Sequence, residues 1–338
     1  MDEHKENIHN TDVNVNMSTV EDDKLKSDST ICPKEREDAP RASNSDFSHP
    51  VYKEIALANG HINRMSKEEL RLKLSQLKLD TRGVKDVMKK RLKSHYKKQK
   101  LTQSAAADDG QAEADYDYIC VVDFEATCEE DNPPDFVHEI IEFPIVLIST
   151  HTLEIVGTFQ EYVKPELCPK LSNFCVKLTG ITQEKVNAAK PFPVVLKRVV
   201  KWLEERELGT KYKYTFLTDG AWDMSKFLNI QCRISQIRYP QFARRWINIR
   251  KSYGNFYKVP RTQIKLSTML DKLGLQYEGR PHSGLDDSRN IARVALRMLR
   301  DGCRLRVNEH LHAGQLLPAP SWAATEGAPP PRWPGARR

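Results

Sequence analysis

"YICVVDFEATC", Tyr118 to Cys128, sets two carboxylates, Asp123 and Glu125, at the end of a run of strand-forming apolar residues. Residues two apart on a strand share a face. Asp123 and Glu125 then project together, and like charges this close repel unless a cation sits between them. Paired hard oxygen donors suit Mg2+ or Mn2+. A strand end with two solvated acids has the same pattern, so the pair needs support from elsewhere in the chain.

Two stretches give that support. "TDGAWDMSKFL" sets Asp219 and Asp223 around a strand-to-helix junction, where either also suits a helix cap. "HSGLDDSRNIA" sets His282 five residues before Asp287, at the start of an amphipathic helix. Asp286 and Asp287 there also complement the helix dipole.

The surrounding segments predict a mixed α/β domain. "YICVVDFEA", "FVHEIIEFPIVLIST" and "TLEIVGTFQEYVKP" read as an antiparallel meander, and "KYKYTFLTDG" as a short strand. "PFPVVLKRVVKWLEERELG" is an amphipathic helix closing at Gly209. "WDMSKFLNIQCRISQI", "KLSTMLDKLGL" and "LDDSRNIARVALRMLRDG" read as helices, and "WINIRKSYGNFY" as extended. Helices packed on a mixed sheet follow.

Composition narrows the class. No run of about eighteen apolar residues suggests a membrane span, and the opening "MDEHKENIHNTDVNV" is too polar for a secretory signal. The seven cysteines are scattered, without a C-x-x-C pair. That argues against a disulfide framework or zinc site, and for a reducing, intracellular compartment. The net charge of +7 is uneven: His61 to Leu101 carries 14 Lys and Arg against 4 Asp and Glu, a local +10 that leaves −3 for the remainder. A lysine-rich helix is often only a solvated face, but so one-sided an excess points to nucleic acid.

That basic stretch, "MSKEELRLKLSQLKLDTRGVKDVMKKRLKSHYKKQK", reads as two helices about a turn at Gly83. Ser66 and Glu69 form a capping box. Leu70, Leu74 and Leu77 give one apolar stripe, and Val84, Val87, Met88 and Leu92 the other. So little apolar surface predicts a marginal, independently tethered module. Through "S-x-x-E-L", "L-D-T-R-G-V-K-D" and the closing "L-K", it resembles a SAP nucleic-acid-binding domain. Arg82, Lys85, Lys89, Lys90 and Arg91 are the expected RNA contacts. The predicted organisation is a disordered segment at 1–50, the SAP module at 51–101, a linker at 102–117, the α/β domain at 118–305 and a largely disordered tail at 306–338.

The D-x-E pair, an Asp about a hundred residues on, and H-x4-D near the domain's end occur in the order of the DEDDh 3′–5′ exonucleases, with "LTGIT" (Leu178–Thr182) between the first two. Joined to a SAP module, the chain resembles the Eri-1 family of 3′–5′ exoribonucleases. The resemblance implies an RNase H-like fold and two divalent ions, Mg2+ with Mn2+ as a substitute. Asp123, Glu125, Asp223 and Asp287 would be the metal ligands, with Asp219 in support. Glu125 and His282 would be catalytic, His282 taking the proton of the attacking water, a role suited to imidazole near neutral pH. Glu125 and Ala126 would contact the terminal sugar and His282 its phosphate, and Phe174 and Trp222 would stack bases. Both aromatics also suit core packing.

The family further implies histone-mRNA stem-loops, small interfering RNA overhangs and the 5.8S ribosomal RNA 3′ end as substrates. It implies the histone stem-loop-binding protein and ribosomes as partners, and the cytoplasm and nucleus, including the nucleolus, as locations. A DNA-directed proofreading or repair exonuclease and a non-catalytic RNA-end-binding protein are the alternative readings.

Overall fold

The computed structural model describes residues 50–104, 114–133, 136–312 and 314. Most of the segments expected as N-terminal extension, linker and tail therefore lie outside the described residues.

Three helices come first: α1 (Pro50–Arg64), α2 (Lys67–Gln76) and α3 (Lys85–Gln103). The expected capping box starts α2. Ser66 Oγ accepts from the Glu69 N–H at 3.1 Å, and Glu69 Oε2 accepts from the Ser66 N–H at 2.6 Å. The sequence reading missed α1, whose buried Val51, Ile55 and Ile62 follow helical spacing. Ile62, Leu70, Leu74, Met88 and Leu92 make the small core of this module.

The module is not merely tethered. Val87 of α3 belongs to the large core of the α/β domain, and the Val84 N–H donates to the Lys272 carbonyl at 2.9 Å. A Cβ on Gly274, which has φ +70°, would lie 2.7 Å from the Gly83 nitrogen, so the two chains meet at backbone distance. Arg91 is the main correction to the expected RNA contacts. It is 3% exposed, and its Nε and Nη2 donate to Asp301 at 2.6 and 3.0 Å. Tyr257 donates to the same carboxylate, and Asp80 pairs with both Arg82 and Arg297 at 2.6 Å. A guanidinium enclosed this way faces the α/β domain and is out of reach of phosphate in this arrangement.

The α/β domain is built on strands β1 (Tyr118–Val121), β2 (Glu125–Ala126), β3 (Ile140–Ser149), β4 (Glu154–Lys164), β5 (Lys190–Pro191), β6 (Tyr214–Thr218), β7 (Arg245–Asn248) and β8 (Glu309–His310). The order is β5-β4-β3-β1-β6-β7-β8, with β2 also paired to β3. β1, β3 and β4 form the expected antiparallel meander, and β6 and β7 continue it in parallel with β1.

Alternation along β1 feeds both cores. Ile119 and Val121 face one, with Ile291, Val294 and Met298 of α10 (Gly284–Arg300) and with helices α8 (Ile249–Tyr257) and α9 (Leu266–Leu273). Cys120 and Val122 face the other, with α6 (Phe192–Glu204) and α7 (Asn229–Ile234). Helices α4 (Asn173–Thr179) and α5 (Gln183–Ala188) pack against Ile141.

The extended reading of "WINIRKSYGNFY" holds only to Asn248. The Asn248 side chain accepts from the Lys251 N–H and starts α8, whose Ile249, Tyr253 and Tyr257 bury one face at four-residue spacing.

The seam between the helical module and the α/β domain yields a stability prediction. Asp301→Ala removes the nearest carboxylate from buried Arg91, leaving it Asp80 at 3.8 Å and two backbone carbonyls; breaking a buried pair typically costs about 3–5 kcal/mol. Urea unfolding of the full chain should show a drop of that order; a drop no larger than for an exposed ion pair would mean the seam carries little energy.

Candidate active site

The chain leaves β1 at Val121 and resumes strand pairing at Glu125, opposite Glu142 of β3, with a bulge before Ala126. Asp123 sits in that break. The strand expected to run unbroken through Asp123 and Glu125 is interrupted, yet the break still brings the carboxylates together. Ligand oxygens of Asp123, Glu125 and Asp287 all lie within 4.8 Å of one another. Asp287 comes from the first turn of α10. Its Oδ1 accepts from the Tyr277 hydroxyl and its Oδ2 from the His282 backbone N–H, both at 2.8 Å.

Asp223 opens a short π-helix, Asp223–Leu228, and its Oδ1 accepts from the Phe124 N–H at 3.0 Å. It stands outside the three-carboxylate group but acts on it through its charge. Burial, then Asp223, Asp287 and Glu125, push the Asp123 carboxyl well above its ordinary range. Burial, then Glu142 and Asp287, do the same to Glu125. Burial raises Asp223 to about 6, against the pull of Phe124, and raises Asp287 against its bonds from Tyr277 and His282. Four acids thus sit where their own charge is disfavoured. Such an all-oxygen set fits a hard divalent cation.

Asp219 differs. It forms a two-point pair with Arg250, at 3.1 and 2.7 Å, which occupies its oxygens. The sequence reading gave Asp219 a supporting role rather than a ligand role. Arg250 itself was missed, because it lies in the segment read as extended.

His282 is exposed, with φ +61°, a conformation uncommon outside glycine. Its ring is not one of the three clustered ligands. Arg280, two residues earlier, donates to the carbonyls of Lys177 and Leu178 at 2.6 and 3.3 Å. A Cβ on Gly180 would meet that guanidinium at 1.3 Å, and Gly180 has φ +71°. The glycine of "LTGIT" is thus favoured by backbone angle, any side chain there would displace the Arg280 guanidinium, and the motif is tied to the His282 turn.

Trp222, beside Asp223, is 46% exposed, with the Lys226 amine 4.5 Å from its ring. Phe174 is half-buried on α4, and Ala126 is half-buried on β2. Trp202 and Trp246 are core residues. Arg82 and Lys85 are exposed, with Arg82 engaged by Asp80. Lys89 is half-buried, and the Lys90 amine lies over the Phe256 ring of α8 at 4.4 Å. Tyr277 and Glu142 were also missed. The signal for Glu142 was an acid inside the apolar run "HEIIEFPIVLI".

The RNase T exonuclease family matches residues 120–295 and the SAP domain family residues 61–97. Human "3'-5' exoribonuclease 1" is 66% identical over 297 residues, covering 88% of this chain and 84% of that protein. This chain belongs to the Eri-1 family of 3′–5′ exoribonucleases. A solved structure described as "3'-end specific recognition of histone mRNA stem-loop by 3'-exonuclease" is 67% identical, with a TM-score of 0.60, and covers 84% of this chain and 98% of its own. The nuclease domain of "3'hExo, a DEDDh family member, bound to rAMP" is 68% identical, with a TM-score of 0.58, over 59% of this chain and all of its own. The α/β domain is a DEDDh exonuclease fold, preceded by a SAP domain, and the chain is a 3′–5′ exoribonuclease like its relatives.

The raised carboxyls have a consequence for stability. A group whose folded pKa lies above its unfolded one favours the folded state while protonated, and that advantage is lost as pH rises through the folded value. For Asp223 the loss runs from about 4 to about 6. Asp223→Asn removes the charge, so in EDTA the variant should be more stable than the parent above pH 6, by on the order of 2–3 kcal/mol. The two should converge near pH 4. Calorimetry across that range checks it; a variant less stable throughout would show that the carboxylate holds the fold.

Proposed function

We propose that this exoribonuclease is metal-dependent, with Mg2+ held by Asp123, Glu125 and Asp287 and with Asp223 beside them. The convergence of three acidic side chains, buried or half-buried, within 4.8 Å carries this reading. Divalent ions there would supply an activated water and relieve charge on the departing 3′ oxygen. The chain's own residues do the rest. The His282 turn, pinned by its N–H to Asp287, presents the imidazole at the rim as proton acceptor. Exposed Trp222 and half-buried Phe174 offer stacking faces for the last bases. Glu125 and Ala126 border the terminal sugar, so that only a free 3′ end fits, and a nucleoside 5′-monophosphate leaves.

The preferred RNA is inferred from kinship. The stem-loop of the related histone mRNA complex is the first substrate to test, followed by small RNA overhangs and the 5.8S ribosomal RNA end. The stem-loop-binding protein and ribosomes are the matching partners, in the cytoplasm, nucleus and nucleolus.

A time course on end-labelled stem-loop RNA, beside a DNA copy of its tail, tests the reading. EDTA should abolish RNA cleavage and Mg2+ should restore it. His282→Ala should slow it by about 10²–10⁴-fold, as expected for loss of a general base. Undiminished cleavage in excess chelator would sink the proposal.

The SAP contacts now reduce to the side chains that face outward. Lys85→Ala with Lys89→Ala should lower the steepness of the salt dependence of stem-loop binding. If both meet phosphate, the log–log slope should fall by roughly 0.7 to 0.9 per lysine. An unchanged slope would assign both to a solvated face.

A further inference from the structure

Glu142 is 2% exposed in the middle of the sheet and directly opposite Glu125 across the β2–β3 pair. A buried carboxylate beside a metal-ligating one is costly unless its oxygens are bonded. Those of Glu142 are. Oε2 accepts from the Gly284 N–H at 3.0 Å, and Oε1 accepts from the Leu285 N–H at 3.3 Å and from Gln160 Nε2 at 2.7 Å. Gly284 and Leu285 are the first residues of α10, the helix that carries Asp287. Helix N-termini leave their first N–H groups without partners. The usual solution is a side chain just before the helix, but Ser283 makes no such bond here. A strand residue far away in sequence caps the helix instead.

The same contact has a second wall. A Cβ on Gly284 would lie 2.6 Å from the Asp123 carbonyl and 3.1 Å from Glu142 Oε2. The start of α10 is thus seated between the backbone of one ligand and the carboxylate opposite another. Three segments meet at one point: β2 brings Glu125, the β1 break brings Asp123, and α10 brings Asp287.

We infer that Glu142 is a positioning residue that sets Asp287 and the His282 turn against Asp123 and Glu125, and that Gln160 orients it. The inference rests on the metal-dependent reading above. Residues that orient metal ligands typically cost 10–100-fold in metal affinity or activity when changed.

The test uses the full chain. Mn2+ binding is measured by calorimetry without RNA, beside kcat and KM on a 3′-tailed oligonucleotide and thermal melting. Glu142→Gln replaces one acceptor oxygen by a donor and should weaken Mn2+ binding and lower kcat by about 10- to 100-fold, with KM unchanged. Gln160 lies at an exposed position on β4, so Gln160→Ala should fold normally. It alters no charge, and should shift Mn2+ binding in the same direction by a smaller factor. It therefore separates position from electrostatics, and carries the test alone if Glu142→Gln does not fold. Asp287→Asn marks the effect of a lost ligand. Parental Mn2+ affinity in Gln160→Ala and in any folded Glu142→Gln, or activity that falls only in step with melting temperature, would overturn the inference while leaving metal dependence intact. A parent protein that neither binds Mn2+ nor loses activity in EDTA would overturn both.

Discussion

Mutual repulsion among buried carboxylates is the constraint around which the nuclease domain is arranged. Asp123, Glu125 and Asp287 come from three separate segments and meet within 4.8 Å, each with its carboxyl pushed up first by burial, and Asp123 and Glu125 further by neighbouring acids. Nothing in that cluster favours its own assembly. It is held by neighbours that bond the same segments elsewhere: Asp223 grips the Phe124 backbone, Tyr277 and the His282 N–H grip Asp287, and Arg250 neutralises Asp219 alongside. Each of these bonds fixes a carboxylate or a backbone next to one. The geometry of the acids is therefore set by protein bonds, and the charge they concentrate suits a cation.

The seam with the SAP domain follows a different logic. Breaking a buried ion pair is expensive, but making one contributes little net stability compared with apolar packing. The Arg91–Asp301 pair is better understood as a device for orientation. Its two-point geometry, with Tyr257 on the same carboxylate and Arg297 on Asp80, admits one register of α3 against the nuclease domain. A small core such as that of the SAP domain gains a wall it lacks alone, and the lysines of α3 are held at a fixed place relative to the acidic cluster.

Much of this was legible in the sequence, for identifiable reasons. The acids of "DFEA" stood out because they end an apolar run, those of "WDMSKF" and "HSGLDD" because they open helices, and their order along the chain matched a known family. The capping box of α2 was readable because Ser66 and Glu69 act within one turn. What escaped was set by partners distant in sequence. Arg91 looks like its lysine neighbours until Asp301, 210 residues on, is brought to it. Helix α8 was hidden because Ile249, Tyr253 and Tyr257 also suit a strand, and only the Asn248 cap and the packing face decide between the two. Helix α1 was hidden because its three buried residues are diluted among polar ones.

Glu142 lies between these cases. Like Asp123, it is an acid inside a run that otherwise asks to be buried, and that much is visible in "HEIIEFPIVLI". The sequence alone does not say whether such an acid faces a ligand or a backbone. The two outcomes differ in what surrounds the oxygens. A carboxylate met by N–H donors is satisfied and has a structural task, whereas one met by other carboxylates is unsatisfied and has capacity for a cation. Glu142 has three donors; Asp123 has four acidic neighbours among the causes of its shift. Asp287 combines the two: Tyr277 and the His282 N–H hold it in place, while Asp123 and Glu125 beside it make it part of the acidic cluster.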